Sequence, residues 1–431
     1  MRTVALILIM PVCLVLITPR AVEAQVPQPV TLEAAMASAL ERHPTVIAAE
    51  RSLQAAEARL VQARAETALQ VGVTGRASVG TLSSTTGTPT GGDPTTSHNV
   101  SVGASLPLYD GGTRALQIAQ AQASLEAARA SLAAARQDVV LAAAQAYFTV
   151  LRAQRTVEVR EAAARTAQAQ VEQAEAFFRA GTAAQADVIR ARAAAASAQA
   201  ELVAARGQVE TTLASLRSAM AIPLDRPVSV TDPAVPALPT IAAAEASTEA
   251  VRQRPEVARA EADLRSADAA LRLARLAAGL QVSISANTSV QVTPAPGQAG
   301  WSVSATVSHP LVDAGRAKAA VAEAAANLEA ASARRDATIL QVQTQAYQAV
   351  VGLGAASARV EATRVSAEAS QEALRVTEGR YRAGVGTLVE VLSAQADAAE
   401  ARVAAVQALY DLHQAVVNLQ YARGRALMAR R

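Results

Sequence analysis

The chain has 431 residues, of which 18% are charged and 51% hydrophobic, but 109 are alanine and only 2% are aromatic. Globular cores are filled by large apolar side chains, so this composition argues against one thick core. It favours long helices packed side by side. A net charge of +3 gives no reason to expect a nucleic-acid partner. The four histidines and one cysteine have no metal-site spacing, and phosphate-binding and nucleophile motifs are absent, so we expect neither a cofactor nor an enzyme.

Residues 1–24 have the features of a secretory signal peptide. The apolar run 3–18 is interrupted by Pro11, and it is shorter than the roughly 20 residues that a membrane-spanning helix needs. Small residues directly before residue 25 predict that the signal peptide is cleaved after Ala24. The alternative is an uncleaved membrane anchor. Cleavage would remove Cys13 and leave a mature chain without cysteine. An exported protein of this kind depends on packing or oligomerisation rather than on disulfides.

The rest of the sequence contains an internal duplication. Residues 36–50 align with 247–261 at an offset of 211, and residues 178–188 align with 381–391 at an offset of 203. The offset changes between two strand-like runs, where a loop has shortened. We therefore predict four regions after the signal peptide: a first structural repeat at 25–221, a Pro-rich linker at 222–240, a second structural repeat at 241–424 and a C-terminal tail at 425–431.

Each repeat contains two runs in which apolar and polar residues alternate. The runs lie at 69–79 and 99–108 in the first repeat, and at 282–292 and 301–308 in the second. Alternation with period 2 predicts strands, and their length suits a tilted transmembrane strand of about 9–11 residues. The polar face carries mostly Ser, Thr, Asn and Gln, as a water-filled lumen would require, although a soluble hairpin remains an alternative.

Long helices flank these strands. We predict helical segments at 31–67 and 241–278, and a helix from Thr113 to Phe178 that has 66 residues without Gly or Pro. Five residues recur every seven positions within it: Ile118, Leu125, Leu132, Val139 and Ala146. Alanines fill the intervening positions: Ala121, Ala128, Ala135 and Ala142. This heptad seam favours coiled-coil packing.

After each long helix, a glycine break starts a return helix, which ends near Ala221 in the first repeat and near Arg423 in the second. The first return helix and the helical segment of the next repeat together match the length of a long helix. We therefore predict that these two stack end to end. The result is a rod with strands at one end and hairpin tips at the other.

Several single residues have structural interpretations. We expect Tyr147 and Tyr347 to be packing anchors between helices. Trp301 suits an aromatic belt at a membrane interface. Pro107 and Pro310 are predicted to end strand pairing, since proline lacks the N–H that a sheet ladder needs.

The order of these features resembles the TolC-like outer membrane efflux proteins, which serve tripartite efflux and type I secretion. The resemblance covers nearly the whole mature chain and rests on the duplication, the strand-to-helix junctions and the hairpin tips. The junction residues are Pro107, Asp110, Gly111, Gly112, Pro310, Asp313 and Gly315, and the tip residues are Phe178, Arg179, Gly181, Tyr381, Arg382 and Gly384.

The resemblance implies a mainly helical chain with a transmembrane β-barrel portion. It implies a homotrimer in which each chain gives four strands to a twelve-stranded barrel in the outer membrane, while the helices form an α-barrel across the periplasm. The linker 222–240 would lie at an equatorial belt. Trimer closure also answers a physical need, because open sheet edges are not tolerated in lipid. The implied function is a passive exit duct that works with a periplasmic adaptor and an inner membrane pump.

The resemblance further implies a gate at the tips, closed by polar and acidic residues. Glu390 occupies the matching position and Asp187 is its counterpart in the first repeat. Three copies of Glu390 would form an acidic ring that favours cations. Ser393 stands where some relatives have a second acid. The alternative is that both acids are solvated or paired with arginines such as Arg190 and Arg192.

A second function remains open at this point, namely a periplasmic coiled-coil adaptor. Adaptors also have long helical hairpins. They usually have one hairpin between glycine-rich β-domains, however, whereas this chain has two hairpins, each preceded by a pair of strands. No residue pattern indicates the transported substrate.

Overall fold

The computed structural model describes residues 29–66, 68–80, 95–234, 238–276, 279–292 and 298–425. The predicted signal peptide at 1–24 and the predicted tail beyond residue 425 lie outside these ranges, as does most of the polar loop between the first two strands.

The two repeats have the same order of elements. The first contains β1 (Pro29–Val30), α1 (Leu32–Arg42), α2 (Pro44–Ala65), β2 (Gln70–Gly80), β3 (Thr95–Tyr109), α3 (Thr113–Arg179) and α4 (Gln185–Ala219). The second contains β4 (Ser229–Val230), α5 (Ala243–Gln253), α6 (Pro255–Leu276), β5 (Gln281–Val292), β6 (Gln298–Ser308), α7 (Arg316–Arg382) and α8 (Leu388–Ala422). Both long helices have 67 residues and both return helices have 35.

The helical segment that begins each repeat is broken, although the sequence predicted one helix there. The break falls at His43 in the first repeat and at Arg254 in the second, where the backbone is extended. A residue before proline avoids the helical region, and proline suits the first position of a helix. Pro44 and Pro255 therefore end α1 and α5 and begin α2 and α6.

The four predicted strands are confirmed and form one antiparallel sheet in the order β2-β3-β5-β6. Their register separates the side chains by polarity. Val73 pairs with Val102 on one face, and Thr74 pairs with Ser101 on the other. None of the described residues covers the apolar face, since Val73 is 71% exposed and Val303 is 64% exposed. Among the described strands, β2 and β6 are the two edges of this sheet and have no further partner.

Pro107 does not end all strand pairing, contrary to the prediction. The β2–β3 ladder stops at Ser105, but Pro107 still pairs with Ser283 of β5, and the register shifts before Tyr109. Proline is tolerated here because β2 has already ended and no longer needs an N–H donor from β3 at residue 107. On the other hairpin, β6 ends at Ser308, before Pro310.

The helices pack around α3, which has neighbours on both flanks. Helices α2 and α4 lie against one flank, and α6 and α8 lie against the other and in turn contact α7. The predicted heptad seam is buried at Leu125, Leu132 and Val139, but Ile118 and Ala146 are half-buried and Ala142 is exposed. Helix α7 is packed on one flank and buries only four residues along its length: Val342, Ala346, Leu353 and Tyr381. Among the described residues, no helix combines the length and the apolar character required to cross a membrane.

The return helices stack end to end on helices of their own repeat, so the predicted stacking across repeats is wrong. The end of α4 lies against α1, where the hydroxyl of Ser38 donates to the Met220 carbonyl at 3.3 Å. The end of α8 lies against the α5–α6 break, where Arg254 Nη1 donates to the Tyr421 carbonyl at 3.3 Å. Helix α2 leads through the strands into the N-terminal end of α3, and α4 follows its C-terminal end. Both helices run alongside α3, so the α1 end of the first meets the C-terminal end of the second.

A small parallel sheet of β1 and β4, which the sequence did not predict, crosses the middle of the molecule. Tyr147 holds it in place, since its hydroxyl lies 3.0 Å from the Val30 carbonyl and 2.5 Å from the Thr231 carbonyl. Tyr147 is fully buried, as expected of a packing anchor. Tyr347 is not an anchor within the chain, because it lies on the open flank of α7 and is 56% exposed.

Candidate functional site: hairpin tips and strand-to-helix junctions

Two aspartates cap the long helices where the strands end. Asp110 accepts from the backbone N–H groups of Gly112 at 3.0 Å and Arg114 at 2.9 Å. Asp313 accepts from Gly315 at 3.0 Å and Ala317 at 2.8 Å. A carboxylate at a helix N-terminus satisfies free N–H donors and suits the helix dipole. The two junctions are therefore the same capping device, used once in each repeat.

These hydrogen bonds lower the pKa of both aspartates. For Asp110, burial alone would raise the pKa, but the backbone donors and the Arg114 charge outweigh it. For Asp313, the N–H groups of Ala317 and Gly315 lower the pKa of an exposed carboxyl group. Both carboxyl groups therefore keep their negative charge to a lower pH than a free aspartate does.

The junctions also require left-handed backbone. Gly112 and Gly315 have φ of 93° and 86°, a conformation that side chains disfavour. Gly111 has φ of 66°, and its counterpart in the second repeat is Ala314, with φ of 51°. The second junction therefore has a strained alanine where the first has glycine.

Glycine ends the long helix at each tip. Gly181 has φ of 76° and donates to the Phe178 carbonyl at 3.0 Å, and Thr182 donates to the Phe177 carbonyl at 2.9 Å. This pair of bonds is a Schellman motif. Gly384 (φ 75°) forms the same motif with the Tyr381 carbonyl. The two tips therefore have the same hydrogen-bonded turn.

The tip residues differ in what surrounds them. Phe178 and Arg179 are exposed, whereas Tyr381 is 8% exposed and its ring centroid lies 5.5 Å from that of Phe177. Arg382 pairs with Glu378 at 3.2 Å. An apolar cluster joins the two hairpins here: Val171, Ala174, Val188, Ala191, Tyr381, Leu388 and Val391.

This cluster contains a polar atom without a partner. The Tyr381 hydroxyl is buried and has no hydrogen bond within the described part of the chain. Burial raises the pKa of Tyr381, and the charge of Asp187 raises it further. A buried hydroxyl without a partner costs about 1–3 kcal/mol, so the contact between the tips is less stable than its apolar area suggests.

The two candidate gate acids begin the return helices. Glu390 forms a capping box with Thr387, in which each residue accepts from the backbone N–H of the other at 3.3 Å. Asp187 pairs with Arg190 at 3.3 Å, while Arg192 pairs with Glu175 at 2.6 Å instead. Glu390 is exposed and has no basic partner among the residues that the structure describes. The lumen positions of both acids stay predictions.

Sequence reasoning missed the ionic contacts between the hairpins. Arg160 of α3 bridges Glu201 of α4 at 2.8 Å and Glu400 of α8 at 2.7 Å. Nearer the middle of the molecule, Arg254 is almost fully buried and lies 4.4 Å from the centre of the Tyr421 ring. No periodic signal marks these residues, because their partners are distant in sequence. Within the described ranges, no cluster of His, Cys, Asp or Glu could hold a metal ion.

Solved structures with this fold include an outer membrane protein and two outer membrane channels. VceC of Vibrio cholerae is 22% identical with a TM-score of 0.80, covering 92% of this chain and 97% of that one. The CmeC channel of Campylobacter jejuni is 16% identical with a TM-score of 0.79, covering 91% and 85%. The open MtrE channel of Neisseria gonorrhoeae is 21% identical with a TM-score of 0.76, covering 91% and 89%. At these identities the likeness establishes the shared fold.

The chain shares its fold with these outer membrane proteins. The family model described as outer membrane efflux protein matches residues 35–221 and 246–425, one block in each repeat. These blocks span well over half of the chain, so it belongs to the outer membrane efflux protein family. The chain is accordingly an export duct of the outer membrane, and the adaptor alternative is not supported. No curated protein matches the sequence.

Proposed function

We propose that the protein is a homotrimeric conduit that crosses the outer membrane and extends through the periplasm. Its strands would form a twelve-stranded barrel, and its helices a tube that closes at the hairpin tips. A periplasmic adaptor would join the tube to an inner membrane pump, which would supply the energy. The observation that carries this proposal is the four-stranded sheet, which has an exposed apolar face and two unpaired edges.

The sheet supports a closed assembly for a physical reason. An apolar face that is open to water is unfavourable, and unpaired strand edges invite pairing with another chain. In lipid every backbone polar group must be paired, so the edges must close. Pairing β6 of one copy with β2 of the next would satisfy both edges, and three copies would supply twelve strands. Trp301, 81% exposed on the apolar side, would then contact lipid.

The helices support the same assembly. Helix α7 leaves apolar residues exposed on its open flank, including Leu340 (64%) and Val351 (54%). At the opposite side of the chain, α2 and α4 expose Val61 (64%) and Val203 (60%). Placing α7 of one copy against α2 and α4 of the next would cover both surfaces. Such a head-to-tail contact closes into a ring when the rotation is right.

We propose that the gate lies at the tips, with Glu390 in the narrowest part of the lumen and Asp187 near it. Two observations support this. The tips are the free ends of both hairpins, and the contact between them includes the unsatisfied Tyr381 hydroxyl. A ring of three Glu390 carboxylates would favour cations and would repel itself when closed.

We also propose that 25–221 and 241–424 are the two structural repeats and that 222–240 is a linker at the equatorial belt. Contacts of the linker support this position. Asp232 pairs with Arg155 of α3 at 2.7 Å and accepts from the Tyr410 hydroxyl of α8 at 3.1 Å. The linker thus binds both hairpins at mid-height.

Single-channel recording of the detergent-purified mature protein in planar bilayers tests the proposal. We expect discrete conductance steps and a channel that is mostly closed, because the tips are packed together. Fractionation should place the protein in the outer membrane. Protein that never inserts into bilayers, or that fractionates as soluble periplasmic material, would overturn the proposed conduit.

A further inference from the structure

One charged residue stands out in the sheet. Arg76 is the only Asp, Glu, Lys or Arg within β2, β3, β5 and β6. It lies in β2, four residues before Gly80, where the strand ends. At about 3.3 Å per residue, it lies roughly 13 Å from the end of the sheet that is remote from the long helices.

The register places Arg76 on the polar face. It pairs with Asn99 of β3, and its same-face neighbour Thr74 pairs with Ser101, which in turn pairs with Ser289 of β5. The opposite face of β2 carries valines. An arginine on a lipid-facing side is destabilising, so this register agrees with a polar face that is turned towards water.

Nothing in the described part of the chain neutralises Arg76. The residue is exposed and has no ion pair with another described residue. The four strands contain no carboxylate that could lie beside it in a closed sheet. Its charge would therefore act on whatever passes along the polar face.

We propose that Arg76 determines the ion selectivity of the outer end of the channel. This inference rests on the proposed trimeric barrel. Threefold symmetry puts three copies of Arg76 at one height in the lumen. The strands contain no Asp, Glu or Lys and no second Arg that could alter the charge of this ring. Rings of arginine favour anions, so this end attracts anionic solutes such as carboxylates, sulfonates and chloride. The proposed Glu390 ring at the other end has the opposite sign.

Reversal potentials in a salt gradient test this charge. Arg76→Gln should shift the potassium-to-chloride permeability ratio towards potassium by about twofold, and Arg76→Glu should shift it further. The shift should shrink at high salt because salt screens the charge. The matched control is Thr74→Ala, on the same face and strand, which should leave the ratio unchanged. An unchanged ratio in both Arg76 variants would overturn the proposal.

A cysteine test asks separately whether the position faces the lumen. The mature chain is expected to lack cysteine, so Arg76→Cys creates one thiol. A negatively charged methanethiosulfonate reagent added from the outer side should change the conductance and the ion selectivity of the Arg76→Cys channel. A positively charged reagent should restore its preference for anions. Val73→Cys, on the apolar face, should not respond. Channels that respond at residue 73 and not at 76 would overturn the inference, whereas an absence of channels from the wild type would overturn the proposed conduit itself.

Discussion

Ala221 and Gly424 occupy the same position in the two repeats, and both have left-handed backbone, with φ of 52° and 73°. Each follows the end of a return helix, where its N–H donates to a carbonyl three residues earlier, Ser218 or Tyr421. A Cβ at Gly424 would lie 2.8 Å from the carbonyl carbon of Gln253. The second repeat therefore needs glycine at this joint, whereas the first accepts a strained alanine.

The strain at this joint predicts opposite effects in the two repeats. Ala221→Gly should stabilise the protein by about 0.5 kcal/mol, because release of left-handed strain exceeds the entropy cost of glycine. Gly424→Ala should destabilise it by about 2 kcal/mol or more, since strain adds to the clash with Gln253. Thermal or denaturant unfolding of the two single variants measures both. Equal effects of the same sign would contradict this account of the joint.

Removing the aspartate cap of α7 should weaken the second junction. Asp313→Ala leaves the N–H groups of Gly315 and Ala317 without their partner and should destabilise the first turn of α7. Asp313→Asn keeps one acceptor and should cost less. Hydrogen exchange of the first turn of α7 measures the local effect, and the intact Asp110 junction serves as an internal control. Unaltered exchange at residues 315–317 in Asp313→Ala would argue against the cap.

The hydroxyl and the ring of Tyr381 should have separable effects on opening. Tyr381→Phe removes a buried hydroxyl without a partner, so the closed state should be equally or more stable. Tyr381→Ala removes the ring that packs on Phe177 and should raise the open probability in bilayers, because a large buried side chain contributes several kcal/mol. Single-channel recordings of both variants provide the comparison. A Tyr381→Ala channel that stays closed would exclude the contact between Tyr381 and Phe177 as part of the gate.

The stability of the equatorial belt should fall on mild acidification. His413 is buried, with its ring stacked 5.0 Å from the Phe148 ring. Burial lowers the pKa of His413, although the charge of Asp232 opposes this. The folded chain therefore favours neutral imidazole, and stability present above the unfolded pKa of about 6.5 is lost as the pH falls below it. The apparent melting temperature between pH 7.5 and 5.5 should fall more in the wild type than in His413→Leu. Parallel curves would remove His413 as the cause.

The acidic gate predicts a difference between the two repeats. Glu390→Gln should reduce cation preference, because it removes the proposed ring charge while the amide can still accept the Thr387 hydrogen bond. Asp187→Asn should have a smaller effect, since Asp187 is already paired with Arg190. Reversal potentials report both. A larger shift for Asp187→Asn would reverse the assignment of the two acids.

The parts of the fold that depend on short-range patterns followed from the sequence. Alternation located the four strands and their two faces, and the heptads located the packed seam of α3. Long-range relations did not follow. The stacking of α8 on α6 depends on contacts such as Arg254 with Tyr421, which no spacing reveals. Tyr347 is exposed because α7 has a neighbour on one flank only. At the offset of 203 between the long helices, the counterpart of Tyr147 is Val350 and not Tyr347.

The central claim is that three copies close both the sheet and the helical tube. Native mass spectrometry of the mature protein, released from detergent micelles, tests it most directly. The account predicts one dominant species with the mass of three chains, which persists when the detergent is changed. A dominant single chain, or a dimer under the same conditions, would contradict it, because four strands or eight cannot supply the proposed twelve-stranded barrel.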